Sequence, residues 1–511
     1  MSKKFSATVA GATIFLILIS IFSKGIGFIR EILFASRFGT TESYDLYLIA
    51  AVFPIVINTS LYYIGQNYFI PLYNKAIVAG EDKGAFVGKN FWMFVIGGTL
   101  LSAVLILVSD PLLNFYVGSS YIKNKELIKN IFNIITLSIP LGSGVAVLSS
   151  FINAEFEFRI PAYSNLILNI IIVIAVFVFS GKILIYSIPA GYLAGTILQL
   201  IFLLIYVKYV KNIRLKFKQN ISIRMRPDKI IISIILIEVL GQLYLLIDRW
   251  FYPAVDAGGM SALSYAGNLF SLPISLVSVS FAAVLFPFLS KEISLKNEEN
   301  YSLKIIESLK ISSLIFIPVF VVLFFYGEII IQLIYERGKF SHPDTIMTSD
   351  VLKVMSLGLI FFSGYSILNK SLFAAQKIKY LLIITIAAVI LKVILSSVFI
   401  EYFRQNGLAL STAIVYFFFF SASIVVVLKS VKKVLTVFLH LIFYMVLSVL
   451  LIYILKIISP LFYPDSVLKD ILSVFVYFIL YLMSAVILDG EYIRKMNPLT
   501  RNKHVIPINV E

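Results

Sequence analysis

Residues 23–54 read SKGIGFIREILFASRFGTTESYDLYLIAAVFP, which puts Lys24, Arg30, Glu31 and Asp45 inside or beside an apolar run long enough to cross a bilayer. An unpaired ionisable group in hydrocarbon costs at least a few kcal/mol, so such groups face a watery cavity or a partner and mark a transport path. The stretch therefore reads as one wall of a cavity. Gly25 and Gly27 lie among the charges, where a membrane helix can bend while water or neighbouring helices satisfy the freed backbone groups. On a straight helix Lys24 and Glu31 share a face and Arg30 sits about 120° from Lys24. Bringing the two cations together requires a bend.

The rest of the chain is written in the same solvent language. Its 511 residues are 60% hydrophobic and 14% charged, with a mean hydropathy of +0.96, a composition that excludes a soluble domain. Apolar runs of about 20 residues recur and predict about 14 helices, near 5–36, 45–74, 87–109, 127–154, 161–180, 183–207, 230–254, 261–290, 305–327, 350–375, 379–400, 406–428, 434–458 and 467–489. Lys3 and Lys4 ahead of the first run imitate a signal peptide, but no small-residue cleavage site follows, so the first helix is expected to be retained. Cysteine is absent, which excludes disulfides and thiolate chemistry.

The net charge of +16 is distributed as in a membrane protein rather than a nucleic-acid binder. Segment 208–229 carries Lys208, Lys211, Arg214, Lys216, Lys218, Arg224, Arg226 and Lys229 against Asp228 alone, which places it in the cytoplasm by the positive-inside rule. The alternation of loops then puts both termini there too. A shift of 219 residues lays Arg30 over Arg249, Gly39 over Gly258 and Pro54 over Pro273. Six helices separate the two copies, so the halves insert in the same direction. The expected fold is an all-α polytopic membrane protein. Its parts would be an N-lobe (1–207), a basic linker (208–229), a C-lobe (230–428), two further helices (429–489) and a cytoplasmic tail (490–511), with two parallel six-helix lobes around a central cavity.

Arg30 and Arg249 stand out as a pair that could hold an anion bidentately while staying charged. The plain alternative is that Lys24 and Arg30 snorkel from a helix end. Glu31 and Asp248 sit next to the two arginines and could simply neutralise them. Adjacent helical residues do not face each other, so their partners are expected on other helices. Asp45, Asn58, Gln66, Asn67, Glu238, Gln242, Asn268, Asn369 and Lys392 either line the cavity or tie helices together by hydrogen bonds. His342, His440 and His504 form no metal-ligand spacing. No phosphate-binding GxxxxGK[ST] loop, HExxH or GxSxG appears, and the external loops are short for a structured active site. A transporter is expected, not an enzyme, with no cofactor; coupling to an ion or to membrane potential stays open, the ion unidentified.

Several stretches together resemble one family. SKGIGFIREILFASRFG with YDLYLIAAVFP, YAGNLFSLPISLVSVSFAAVLFPFLSK and LIYERGKFSHPDT are similar to the lipid II flippase family (MurJ/MviN), of the multidrug/oligosaccharidyl-lipid/polysaccharide exporter superfamily. The resemblance runs over roughly residues 8 to 380, and Glu336 to Phe340 is its most distinctive short signature. It implies a flippase that moves an undecaprenyl-diphosphate-linked saccharide, most plausibly lipid II for peptidoglycan synthesis, to the outer leaflet of the bacterial cytoplasmic membrane by alternating access. By resemblance Lys24, Arg30, Glu31 and Asp45 occupy cavity positions, and the last two helices form a groove for the lipid tail. The chain departs from the family at Asn58, Gly267 and Asn268, where cationic or acidic residues are usual, and Arg249 could compensate. The substrate-binding set expected here is Lys24, Arg30, Glu31, Asp45, Asn58, Asp248, Arg249 and Asn268. Alternatives are a flippase for another lipid-linked glycan such as an O-antigen or capsule unit, a cation-coupled drug exporter, or a membrane glycan-assembly enzyme.

Overall fold

The computed structural model describes residues 24–118, 122–215, 229–428, 431–462 and 467–496. Most of the first apolar run, the basic residues from Lys216 to Asp228 and the tail beyond Met496 lie outside them. Among the described residues, nine helical stretches are long and apolar enough to cross a membrane, and a tenth arises from His342–Ser356 with Leu359–Ala374, bent by 47°. Two of the nine, Arg159–Val210 and Ile378–Leu428, are 52 and 51 residues long. At 1.5 Å per residue each would be about two and a half times as long as the hydrocarbon core is thick. Each turns back at a residue with positive φ, Leu184 (φ 49) and Arg404 (φ 51), and so makes two passes.

Leaving aside the helices Ser109–Val117, Lys125–Thr136, Val279–Ser294 and Gly327–Tyr335, which connect or extend them, the helices in chain order are α1 (24–38), α2 (Glu42–Ile64), α3 (Lys83–Leu107), α4 (Ser138–Ala154), α5 (Arg159–Ile183), α6 (Ser187–Ile205) and α7 (Lys229–Trp250). There follow α8 (Gly259–Pro273), α9 (Glu298–Phe325), α10 (His342–Ser356 and Leu359–Ala374), α11 (378–403), α12 (405–428), α13 (Val431–Phe462) and α14 (Val467–Met496). Helix α2 holds Pro54 and runs through a wider turn, Gly65–Phe69, before resuming at Ile70–Val78. Fourteen elements are compatible with the sequence expectation.

Two compact units emerge from the packing. The first comprises residues 1–268, 334–348 and 385–408, and the second 269–333, 349–384 and 409–511. In the first unit small residues let backbones approach. A methyl group on Gly191 or Gly195 would lie 2.7 Å from Ala175 and 2.8 Å from Leu168, so the small-xxx-small spacing of α6 seats it against α5. At the end of α4, Glu155 accepts from Tyr73 at 2.5 Å and from Lys83 at 2.9 Å, and Lys211 reaches Glu157 at 2.5 Å. Burial alone would raise the Glu155 carboxyl, but the bonds from Tyr73 and Lys83 and the charges of Lys83 and Lys211 carry it below its usual value. Asp82 caps α3 through the Ala85 amide at 2.9 Å.

The second unit packs α9 against the later half of α10 and against α13 through a seam of serines. Ser312 donates to Ser363 at 3.2 Å, Ser278 to the Ser363 carbonyl at 3.1 Å, and Tyr301 to the Ser371 carbonyl at 2.9 Å. Gly364 leaves room for the ring of Phe420, which would lie 2.6 Å from any added methyl.

Three loops of the first unit interlock through glycines. Gly39, Gly258 and Gly338 adopt φ of 59°, 84° and 63°, a conformation that costs glycine little. A methyl on Gly39 would meet the Lys339 carbonyl at 2.6 Å, one on Gly258 the Thr40 carbonyl at 2.3 Å, and one on Gly338 the Ser36 carbonyl at 2.3 Å. The Lys339 amide donates to Ser36 at 2.8 Å, Tyr265 to the Gly39 carbonyl at 3.1 Å, and Thr40 bonds Asp344. Gly39 and Gly258, superposed by the 219-residue shift, thus meet in one knot through the Thr40 carbonyl next to Gly39. The Glu336 to Phe340 signature is its third strand.

Candidate functional site

Helix α1 carries its charges inward from this knot. Arg30 lies over the ring of Phe34, 5.6 Å from its centroid. Its Nη1 donates to Asn169 Oδ1 on α5 at 2.9 Å, and its Nε and Nη2 donate to Glu31 Oε1 at 3.1 and 2.6 Å. The other Glu31 oxygen accepts from Asn268 of α8 at 3.0 Å. A continuous Asn169, Arg30, Glu31, Asn268 network therefore ties α5, α1 and α8 together, with the Arg30 side chain still 28% exposed. The expectation that Arg30 and Glu31 would not pair is corrected. Their Cβ atoms point apart, but the long guanidinium side chain curls back across the helix surface to its neighbour. Lys24 starts the described part of α1, exposed, one helical face with Glu31.

Asp45 is wholly buried. Its carboxylate accepts from the Gly258 amide at 2.8 Å, the Ser261 amide at 2.7 Å and the Ser261 hydroxyl. It thereby caps the start of α8 from the start of α2, satisfying amides that a helix N-terminus leaves open and complementing its dipole. This geometry gives Asp45 the helix-tying role.

Arg249 is also buried, 7% exposed, and its Nη1 donates to the Met260 carbonyl at 3.2 Å. It sits at the end of α7 beside the same α8 start. No described contact links it to the Arg30 network, so the two arginines expected to act together belong to separate clusters of one compact unit. Asp248 is held by Lys392 of α11 at 2.6 Å; Lys392 is fully buried, and its ammonium also donates to the Leu408 carbonyl at 3.0 Å. Asn58 donates to the Ser138 hydroxyl at 2.8 Å and lines a cavity inside the first unit.

Sequence reading missed Asn169. Its signal was available as the i, i+4 pair Asn165 and Asn169 in an otherwise apolar run. Among the described residues no cluster of His, Asp and Glu could hold a metal ion. Chemically the Arg30 network offers a partly open guanidinium held by one amide and one carboxylate, suited to holding an oxyanion.

The sequence model of the family described as Lipid II flippase MurJ matches residues 34–482. A probable lipid II flippase MurJ of Borreliella burgdorferi is 26% identical over 432 residues, covering 83% of this chain and 84% of the relative. The lipid II flippase MurJ of Thermosipho africanus is 27% identical over 399 residues, 77% of this chain and 80% of the relative. A solved structure of lipid II flippase MurJ in an inward closed conformation superposes with a TM-score of 0.79 at 26% identity, covering 94% of this chain and 100% of that one. An inward-facing multidrug resistance MATE transporter of the MOP superfamily shares the fold, with a TM-score of 0.63 at 11% identity over 82% of this chain and 95% of that one. With a family match that runs over most of its length, the chain belongs to the MurJ lipid II flippase family.

Proposed function

We propose that this protein moves lipid II across the bacterial cytoplasmic membrane by alternating access, without chemical conversion of the lipid. The observation that carries the reading is Arg30, a cation partly open to solvent within a membrane helix and fixed in place by Asn169 and Glu31. A diphosphate cannot enter hydrocarbon unaided, so a flippase must replace its hydration with fixed donors while the apolar tail stays in lipid. Lys24 adds positive charge on the same helix. Depletion of the protein in its host should cause lipid II to accumulate in the inner leaflet. Accumulation of a different undecaprenyl-linked glycan, with lipid II at its normal level, would overturn lipid II as the substrate and favour an O-antigen or capsule unit.

Helices α13 and α14 are proposed to hold the lipid tail. Leu439, Ile442, Phe443, Val446, Leu447 and Leu450 form an open apolar face of α13 at i, i+3, i+4 spacing. Replacing Phe443 and Val446 by serine is expected to weaken binding of the full-length lipid several-fold more than that of a short-chain analogue. Equal weakening of both would count against a tail groove.

A further inference from the structure

The cavity beside Asn58 is unlike the rest of the site. It has a volume of about 250 Å³ and lies among α2, α4, α5 and α6 of the first unit. Its lining offers the amides of Asn58, Asn165 and Gln199, hydroxyls of Thr59, Ser149 and Thr196, and the rings of Tyr62, Tyr63 and Tyr192, with no Asp, Glu, Lys or Arg. Such a lining rejects a phosphate or a cation, which would lose hydration without a counter-charge. Neutral hydrogen-bonding groups combined with aromatic faces fit a neutral polyhydroxyl ligand. Asn58 donates to the Ser138 hydroxyl at 2.8 Å and lies beside the Tyr192 hydroxyl, so the polar groups of the lining are held in place before a ligand arrives.

The cavity also adjoins the cation. Asn165 lines it, and Asn169, one turn along α5, donates to the Asn165 carbonyl at 3.0 Å while its Oδ1 holds Arg30. Tyr192 approaches both Asn58 and Arg30. An anion at Arg30 and a ring in the cavity would therefore be separated by about one helical turn, roughly 5 Å. The volume is below the roughly 300–1,000 Å³ of pockets for drug-sized molecules, which suits one sugar ring rather than a whole saccharide.

We infer that this cavity is a neutral-sugar subsite that takes the ring attached directly to the diphosphate, so that the protein distinguishes a glycosylated diphosphate lipid from a bare one. The inference rests on the flippase reading above and names how its site recognises the head group.

The test uses the full-length protein in lipid nanodiscs and two probes, undecaprenyl diphosphate and the same lipid carrying one N-acetylated hexosamine. The unmodified protein should bind the glycosylated lipid about tenfold more tightly, the effect of one or two net hydrogen bonds. Gln199→Leu should remove that preference while leaving affinity for the bare lipid unchanged, and Tyr192→Phe, which deletes one hydroxyl only, should reduce it part-way in a protein that folds normally. Arg30→Ala should weaken both lipids alike. Equal affinity of the unmodified protein for both lipids, or equal loss of both in the cavity variants, would overturn the subsite and leave the flippase reading standing. Binding of neither lipid by folded protein would overturn that reading and the subsite with it.

Discussion

Arg30→Ala is expected to abolish transport of lipid II while the protein keeps its normal abundance in the membrane. In the present state the Arg30 guanidinium spends two donors on Glu31 and one on Asn169, so Glu31 stands where an arriving oxyanion would bond. A diphosphate that displaces it gains charge-assisted hydrogen bonds of about 1.5–3 kcal/mol each. Losing two of them would cost on the order of 10²-fold or more in affinity. Arg30→Lys keeps the charge but not the planar fork and should transport weakly. Arg249→Ala should behave differently, lowering abundance, because that side chain is buried against Met260. Rescue of a depleted strain by Arg30→Ala at normal abundance would remove Arg30 from the mechanism.

The other large effect concerns stability. Lys392 has no exposed surface and its Asp248 partner is 15% exposed, so either single truncation leaves a charge stranded among apolar helices. Lys392→Met or Asp248→Leu alone should destabilise the purified protein by about 3–5 kcal/mol, whereas the double substitution should cost much less, because a buried ion pair gains little over a well-packed apolar pair. Thermal unfolding in detergent, carried through the full double-mutant cycle, measures this. Additive losses in the double variant would show that the two side chains do not act as a pair.

Much of this was readable beforehand, for a physical reason. Bilayer thickness fixes how long an apolar run must be, and cations are rare enough in such runs to be noticed, so the helices and the candidacy of Arg30 follow from the sequence directly. Partnerships do not. Glu31 and Arg30 pair because a long flexible side chain ignores the helical period that separates their Cβ atoms. Asp45 could have lined the cavity or tied helices together and in this structure ties them, but nothing in its own helix announces that the tie goes to the open amides of Gly258 and Ser261. Arg249 matches Arg30 in the repeat, yet neighbouring side chains, which the repeat does not share, decide where its guanidinium points. Lys392 was visible as an oddity in α11, but its counterion lies 144 positions away.

The glycine knot has a bearing on how the molecule can move. Its closest contacts run from backbone carbonyl to Cα, and no side-chain rotation can relieve them. A joint built this way has no compliant intermediate, because packed backbone is bistable rather than continuously deformable. It is either fully seated or fully parted. A motion that parts this knot should click like a latch, and the protein should dwell in discrete states of well-separated lifetimes instead of drifting through a continuum.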